Sequence, residues 1–126
     1  MPVKMIVLVK RRADLSPTEF RDGYENSHSR IAVKLFGHLW IAYRRNYLIA
    51  GRTFAHGNVR GSLGPDEIGY DVISEIVLRD QQALEEMGRI AGENFEMIKA
   101  DEARWFEAAR CWVVQSETVE ENLTTI

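Results

Sequence analysis

The stretch that decides the fold is Leu15-Ser-Pro-Thr-Glu-Phe20, which holds most of the signals that start a helix. Ser16 can cap the helix, Pro17 suits its first position, and Glu19 completes a capping box. The apolar residues at the two ends of the stretch can form a hydrophobic staple across the first turn. The pattern predicts a helix that runs from Ser16 to about residue 36 and ends at Gly37.

One face of this helix carries apolar and aromatic residues together with one histidine, at Phe20, Tyr24, His28, Ile31 and Leu35. At about 100° per residue, these positions form one stripe that faces the protein core. An imidazole aimed at a core is either a structural group with satisfied hydrogen bonds or a proton-transfer group in a pocket. His28 is therefore the first candidate for function.

The remaining segments alternate between strands and helices. Strands are predicted at residues 3–10, 40–49, 70–78 and 108–115, and further helices at 80–92 and 94–104, with a break at Gly92. Residues 51–69 hold five of the nine glycines and form a long loop. The order predicts an α+β, ferredoxin-like (split βαβ) domain over residues 1–116, with a four-stranded antiparallel sheet and helices on one face. Residues 117–126 form a polar, acidic tail.

The first and last strands carry apolar residues on both faces. Because one layer of helices covers only one face of a sheet, the other face needs a cover of its own. A symmetric homodimer that pairs two sheets face to face meets this need. The alternative is a monomer with a partly exposed sheet.

Composition limits the classes of partner. A formal net charge of −3 argues against nucleic acid or an anionic membrane as the main partner. The short basic runs at residues 10–12 and 44–45 are interpreted as solvated strand ends. Cys111 is the single cysteine, so no intrachain disulfide can form and a cytoplasmic location is expected. No stretch approaches the roughly 18 apolar residues of a membrane span.

Several of these segments together resemble the EthD-domain proteins of the dimeric α/β-barrel superfamily. The similarity begins at residues 5–12 and 15–20 with His28, and it continues at residues 43–47, at Tyr70-Asp71 with Glu75, and at residues 101–107 leading to Arg110. The resemblance implies a homodimer with one pocket per subunit, between the helices and a curved sheet. EthD-like proteins are linked with degradation of ethers and aromatics, and some resemble cofactor-free isomerases, dehydratases or decarboxylases. Other members of the superfamily are monooxygenases or haem-degrading enzymes.

Two residues are candidates for catalysis. His28 can take and return a proton at neutral pH, and the Tyr43 phenol can donate a hydrogen bond to a developing oxyanion. The alternatives are a structural histidine and aromatic packing. Candidate substrate-binding residues are Tyr24, Tyr47, His56, Asp71 and Trp105.

Two acidic residues are candidates for orienting His28. Asp71 and Glu75 are about 13 Å apart along a strand, too far to share one proton. Either one could act singly on the imidazole, or each could form an ion pair.

Ligand spacing gives no support for a metal or a cofactor. The three histidines and Cys111 show no close metal-ligand spacing. The sequence has no Walker loop, no dinucleotide fingerprint and no Gly-x-Ser-x-Gly elbow. The preferred hypothesis is a cofactor-independent acid–base enzyme acting on a small aromatic, lactone or polyketide-like substrate. The alternatives are a monooxygenase-like or haem-handling oxidoreductase and a non-catalytic small-molecule-binding accessory protein.

Overall fold

The computed structural model describes residues 1–56 and 63–124. Its antiparallel sheet has four strands, which are β1 (Val3–Val9), β2 (Trp40–Tyr47), β3 (Val72–Leu78) and β4 (Trp112–Ser116). The strands lie in the order β2-β3-β1-β4, with β1 and β3 at the centre. β1 and β2 are not adjacent, and neither are β3 and β4, because a helical crossover joins the strands of each pair. The consecutive strands β2 and β3 pair directly. This is the split βαβ arrangement, and it confirms the ferredoxin-like fold class.

The first crossover is helical from Pro17 to Phe36, as the capping signals predict. The helix α1 (Pro17–Gly23) starts at Ser16, whose hydroxyl accepts from the Glu19 amide at 3.1 Å. The Glu19 carboxylate in turn accepts from the Ser16 amide at 2.9 Å. This reciprocal capping box satisfies two amides that a helix start leaves free.

A π-helical turn at Tyr24–His28 separates α1 from α2 (Ser29–Phe36). The Ser29 amide donates to the Tyr24 carbonyl five residues earlier, so this turn holds one residue more than an α-turn.

The π-turn changes which residues follow His28 on the inner face of the helix. The helical period predicts Ile31 and Leu35 there, whereas Ala32 and Phe36 contact the cavity described below. An extra residue in the preceding turn rotates the later positions by one place, which accounts for the difference.

Part of the predicted loop at 51–69 has regular structure. Gly51 pairs with Leu63 in an isolated bridge, and residues 65–68 form the short helix α3 (Pro65–Ile68). The loop prediction also covers residues 57–62, which lie outside the described residues.

An ionic cluster ties α3 to the end of β1. Lys10 and Arg11 are only 6% and 8% exposed, so the interpretation of this basic run as a solvated strand end is wrong for these two residues. Asp66 lies 2.9 Å from the Lys10 ammonium and 2.7 Å from the Arg11 guanidinium. Asp71 accepts from the Arg11 amide at 2.8 Å and from its Nε at 3.2 Å. The paired carboxylates permit the burial of these charges.

The second crossover contains α4 (Gln81–Glu93) and α5 (Phe95–Trp105). The break between them lies at Asn94 and not at Gly92, because the Asn94 side-chain amide donates to the Ile90 carbonyl at 2.9 Å and ends the helix. The last strand is shorter than predicted, since residues 108–110 form a 3₁₀ turn before β4 begins.

The two faces of the sheet differ. Residues with buried or cavity-lining side chains, such as Val9, Val72 and Ile76, point toward the helices. The opposite face carries Lys4, Ile6 and Leu8 on β1, paired in register with Val77, Glu75 and Ile73 on β3 and with Ser116, Val114 and Trp112 on β4. We call these nine residues the outer face. Trp112 and Val114 are 60% and 42% exposed in the single chain.

In the described part of the chain, no helix combines the length and apolar character required to cross a membrane.

Candidate active site

A cavity of about 440 Å³ lies between the inner face of the sheet and the helices. Its size is within the range of small-molecule sites. Most of the lining is apolar or aromatic, and the polar groups are few. The lining includes Met5, Val7, Tyr24, His28, Ala32, Phe36, Trp40, Tyr43, Ser74, Ile76, Met87, Ala91, Ile98, Phe106, Cys111 and Val113.

His28 lies at the wall of this cavity with one ring nitrogen already engaged. Its Nδ1 is 2.8 Å from Oδ2 of Asp101 on α5. The imidazole sits between two aromatic rings, with centroid distances of 4.9 Å to Tyr24 and 4.8 Å to Phe106. Because a carboxylate can only accept, Nδ1 carries the shared hydrogen and Nε2 of the neutral ring is left as the acceptor.

Asp101 is a buried carboxylate, 5% exposed, with three hydrogen-bond partners. Besides Nδ1 of His28 on Oδ2, it accepts at Oδ1 from the Ser27 hydroxyl and from the Trp105 indole N–H, each at 3.2 Å. These partners compensate for the removal of the charge from water. The pair of His28 and Asp101 has the geometry of a base oriented by a carboxylate.

The sequence pattern does not single out Asp101, and instead suggests Asp71 or Glu75 as the group that orients His28. The structure brings neither of them to the imidazole. Asp71 belongs to the ionic cluster with Arg11, and Glu75 lies on the outer face, 2.8 Å from the Lys4 ammonium. Residues 101–107 hold three acidic side chains, and Asp101 is the one four residues before Trp105, which is only a weak signal in the sequence.

Three hydroxyl groups lie at the cavity near His28. Tyr24 and Ser74 are hydrogen-bonded at 2.8 Å between Oη and Oγ, and Tyr43 lines the same wall. Burial raises the pKa of Tyr24 well above its ordinary value, and the nearby Tyr43 acts in the same direction. Burial also raises the pKa of Tyr43, although the Arg45 guanidinium opposes this. Both phenols therefore remain protonated at neutral pH and can donate hydrogen bonds.

Three other predicted site residues lie away from the cavity lining. The Tyr47 hydroxyl donates to Glu25 Oε2 at 2.6 Å. Asp71 is held by the cations at the end of β1, and Trp105 contacts the site through Asp101. The side chain of His56 lies outside the described residues. His28, Tyr43 and Tyr24 are the predicted residues that the structure brings together at the cavity.

Cys111 also lines the cavity, where burial raises the pKa of its thiol. A protonated thiol is a weak nucleophile, so this environment favours an inert role. Among residues 1–56 and 63–124, no group of three or more histidine, cysteine or acidic side chains is arranged to hold a metal ion.

A family model and several solved structures match this chain. The EthD domain model matches residues 12–109. A search of curated proteins finds no match.

The matched solved structures are distant in sequence and similar in fold. An EthD family protein from Bacillus halodurans is 18% identical with a TM-score of 0.60, over 94% of this chain and 100% of that one. An EthD-like protein from Ralstonia eutropha is 12% identical with a TM-score of 0.64, over 97% and 96% of the two chains. A dimeric ferredoxin-like protein of unknown function from Jannaschia is 16% identical with a TM-score of 0.50, over 94% and 100%. These likenesses show the fold alone.

Proposed function

Because the chain belongs to the EthD domain family, we propose that it is a cofactor-independent enzyme that moves a proton on a small aromatic, lactone or polyketide-like substrate. The observation that carries the proposal is the pair of His28 and Asp101, with the imidazole at the wall of a ligand-sized cavity. Family membership does not choose the reaction, so the chemistry rests on this geometry.

In the proposed reaction, Nε2 of His28 removes a proton from a carbon next to a carbonyl group of the substrate. The electron pair of the broken C–H bond forms an enolate, and Asp101 stabilises the imidazolium that results. The imidazolium then returns the proton. Delivery to a different carbon gives an isomer, whereas delivery to a departing hydroxyl group releases water.

The enolate oxygen needs a hydrogen-bond donor, and Tyr43 supplies it. A phenol is protonated at neutral pH, and burial raises the pKa of Tyr43 further from neutrality. The Arg45 guanidinium lies 4.6 Å from the ring centroid. The hydrogen-bonded hydroxyls of Tyr24 and Ser74 line the same cavity and add polar groups beside the Tyr43 phenol.

The walls of the cavity favour a flat, largely apolar substrate that carries oxygen atoms. Aromatic side chains from the helices and the sheet surround the space, and they include Phe36, Trp40 and Phe106. The few polar groups near His28 match a molecule with one or two carbonyl or phenol oxygens.

The active protein is proposed to be a homodimer that pairs two outer faces. The exposed apolar residues of the outer face support this, since such patches are usually covered. Ile6→Lys, in the centre of that face, should halve the mass measured by sedimentation velocity. Val33→Lys, on the exposed side of α2, is the matched control and should leave the mass unchanged. A wild-type chain that sediments as a monomer would contradict the dimer.

The function is tested by screening phenolic and lactone compounds for a rise in melting temperature, followed by product analysis of the compounds that bind. His28→Asn should lower turnover by about 10²–10⁴-fold with the fold intact. The control is His38→Asn, which replaces an exposed histidine and should leave turnover unchanged. Equal turnover in the wild type and His28→Asn would refute the proposal, and binding without turnover in the wild type would indicate an accessory protein.

A further inference from the structure

We propose that Trp105 is a positioning residue, whose indole N–H fixes the Asp101 carboxylate and thereby sets the tautomer of His28. This inference rests on the proposed role of His28 as the base. In this role Trp105 acts on His28 through Asp101 and does not contact the substrate.

The two oxygens of Asp101 have different tasks. Oδ1 accepts from the Trp105 indole N–H on α5 and from the Ser27 hydroxyl on the π-helical turn, both at 3.2 Å. Oδ2 is left to His28 Nδ1 at 2.8 Å. The terminal torsion of an aspartate is broad and roughly two-fold, so a carboxylate without such partners can rotate. Two donors from different helical segments on one oxygen hold the other oxygen toward the imidazole.

The indole is itself fixed by its fit against α1. A Cβ at Gly23 would lie 2.2 to 2.5 Å from three carbons of the Trp105 ring, which no side chain tolerates. Glycine weakens a helix interior, and here it allows the ring to lie directly against the helix backbone. The Arg104 guanidinium, 4.7 Å from the ring centroid, contacts the ring as well.

This arrangement selects one form of the neutral imidazole. With Oδ2 held in place, the hydrogen on Nδ1 is favoured and the lone pair of Nε2 is kept available at the cavity. If the carboxylate rotates or moves away, the opposite tautomer gains population. That tautomer presents an N–H to the substrate in place of a base.

The tautomer can be measured without a substrate, from the ¹⁵N chemical shifts of the His28 ring at about pH 9, where histidine is neutral. In the wild type we expect the form with hydrogen on Nδ1 to dominate. Trp105→Phe keeps an aromatic ring but removes the N–H, and it should lower the ratio of the two tautomers by about fivefold, the worth of one ordinary hydrogen bond. Asp101→Ala, which removes every hydrogen-bonding group from this position, serves as the reference for complete loss.

The matched control is Trp40→Phe. The Trp40 indole nitrogen is buried and has no hydrogen-bond partner among the described residues, so this variant removes an N–H without removing such a bond. It should leave the His28 tautomer ratio unchanged. An equal change in both variants would show a general loss of packing and would overturn the proposal.

If Trp105→Phe does not fold, Ser27→Ala tests the positioning of Asp101 instead. Ser27 is half-buried, and its hydroxyl is the other donor to Oδ1 of Asp101. Ser27→Ala should shift the tautomer ratio in the same direction. A His28 ratio that stays at the wild-type value in the folded variants would refute the positioning role. That result would not affect the proposed function. If instead His28→Asn turns over substrate as fast as the wild type, while the His28 tautomer ratios change as expected, only the proposed function is refuted.

Discussion

Gly23→Ala is the substitution whose effect on stability the structure specifies most closely. The new methyl group would lie 2.2 to 2.5 Å from the Trp105 ring, so either the indole or α1 must move. The ring cannot move freely, because its N–H is bound to Asp101 and its face contacts Arg104. The substitution therefore tests both the close approach and its connection to the site.

The expected magnitude combines two opposing effects. Forcing extra atoms into a filled space costs about 1–3 kcal/mol. Alanine in a helix interior is more favourable than glycine by about 0.5–1 kcal/mol. Taken at the middle of both ranges, the two effects lower the free energy of unfolding of Gly23→Ala by a net value of about 1 kcal/mol.

The assay is urea denaturation followed by far-UV circular dichroism, with Gly92→Ala as the matched control. Gly92 is also helical, but outside its chain neighbours and its own helix backbone no described atom lies within 4 Å of the position that a methyl group there would occupy. Without a clash, the control should gain stability by about 0.5–1 kcal/mol. If Gly23→Ala is as stable as the wild type or more stable, the close approach of Trp105 to α1 is refuted.

Three further predictions concern ionisable groups. The Arg45 guanidinium donates to Glu25 and holds the pKa of that carboxyl at about 2, below its ordinary 4.5. This stabilisation is complete above pH 4.5 and is lost as pH falls toward about 2. Glu25→Gln should therefore lower the free energy of unfolding at neutral pH by about 1–2 kcal/mol, allowing for solvent exposure. The same substitution should reduce the loss of stability between pH 4.5 and about 2. Urea titrations across that pH range check this, and an unchanged acid decline would contradict it. Since burial raises the pKa of Cys111, its thiol should react with a disulfide reagent more slowly than free cysteine, measured by absorbance. Asp101→Asn should lower turnover by about as much as loss of the base, up to about 10⁴-fold, while a mild effect would argue that the carboxylate is only structural.

Local signals in the sequence predict the fold well, because each acts over a few residues. The helix start at Ser16 is an example, since the capping box lies within four residues and forms as expected. The strand pattern at β3 is another, where Val72, Ser74, Ile76 and Leu78 alternate with half-buried outer residues. Such patterns also suffice for the ferredoxin-like order of strands.

The candidate site can be predicted only in part from the sequence, because the residues that interact within it are distant along the chain. His28 and Tyr43 can be selected by their chemistry, but 73 residues separate His28 from Asp101. The π-turn is a second obstacle, since no helical period anticipates an inserted residue. The burial of Lys10 and Arg11 is a third, because it depends on carboxylates that come from α3 and from the residue just before β3.

The central claim is that the imidazole of His28 exchanges a carbon-bound proton of a molecule held in the cavity. The most direct measurement is deuterium uptake from D₂O into a bound lactone or phenolic compound, followed by mass spectrometry. We expect uptake at an activated carbon with the wild type and with His38→Asn, and a rate of uptake lower by about 10²-fold or more with His28→Asn. Uptake at the same rate in His28→Asn, or none in the wild type with any compound that binds, would contradict it.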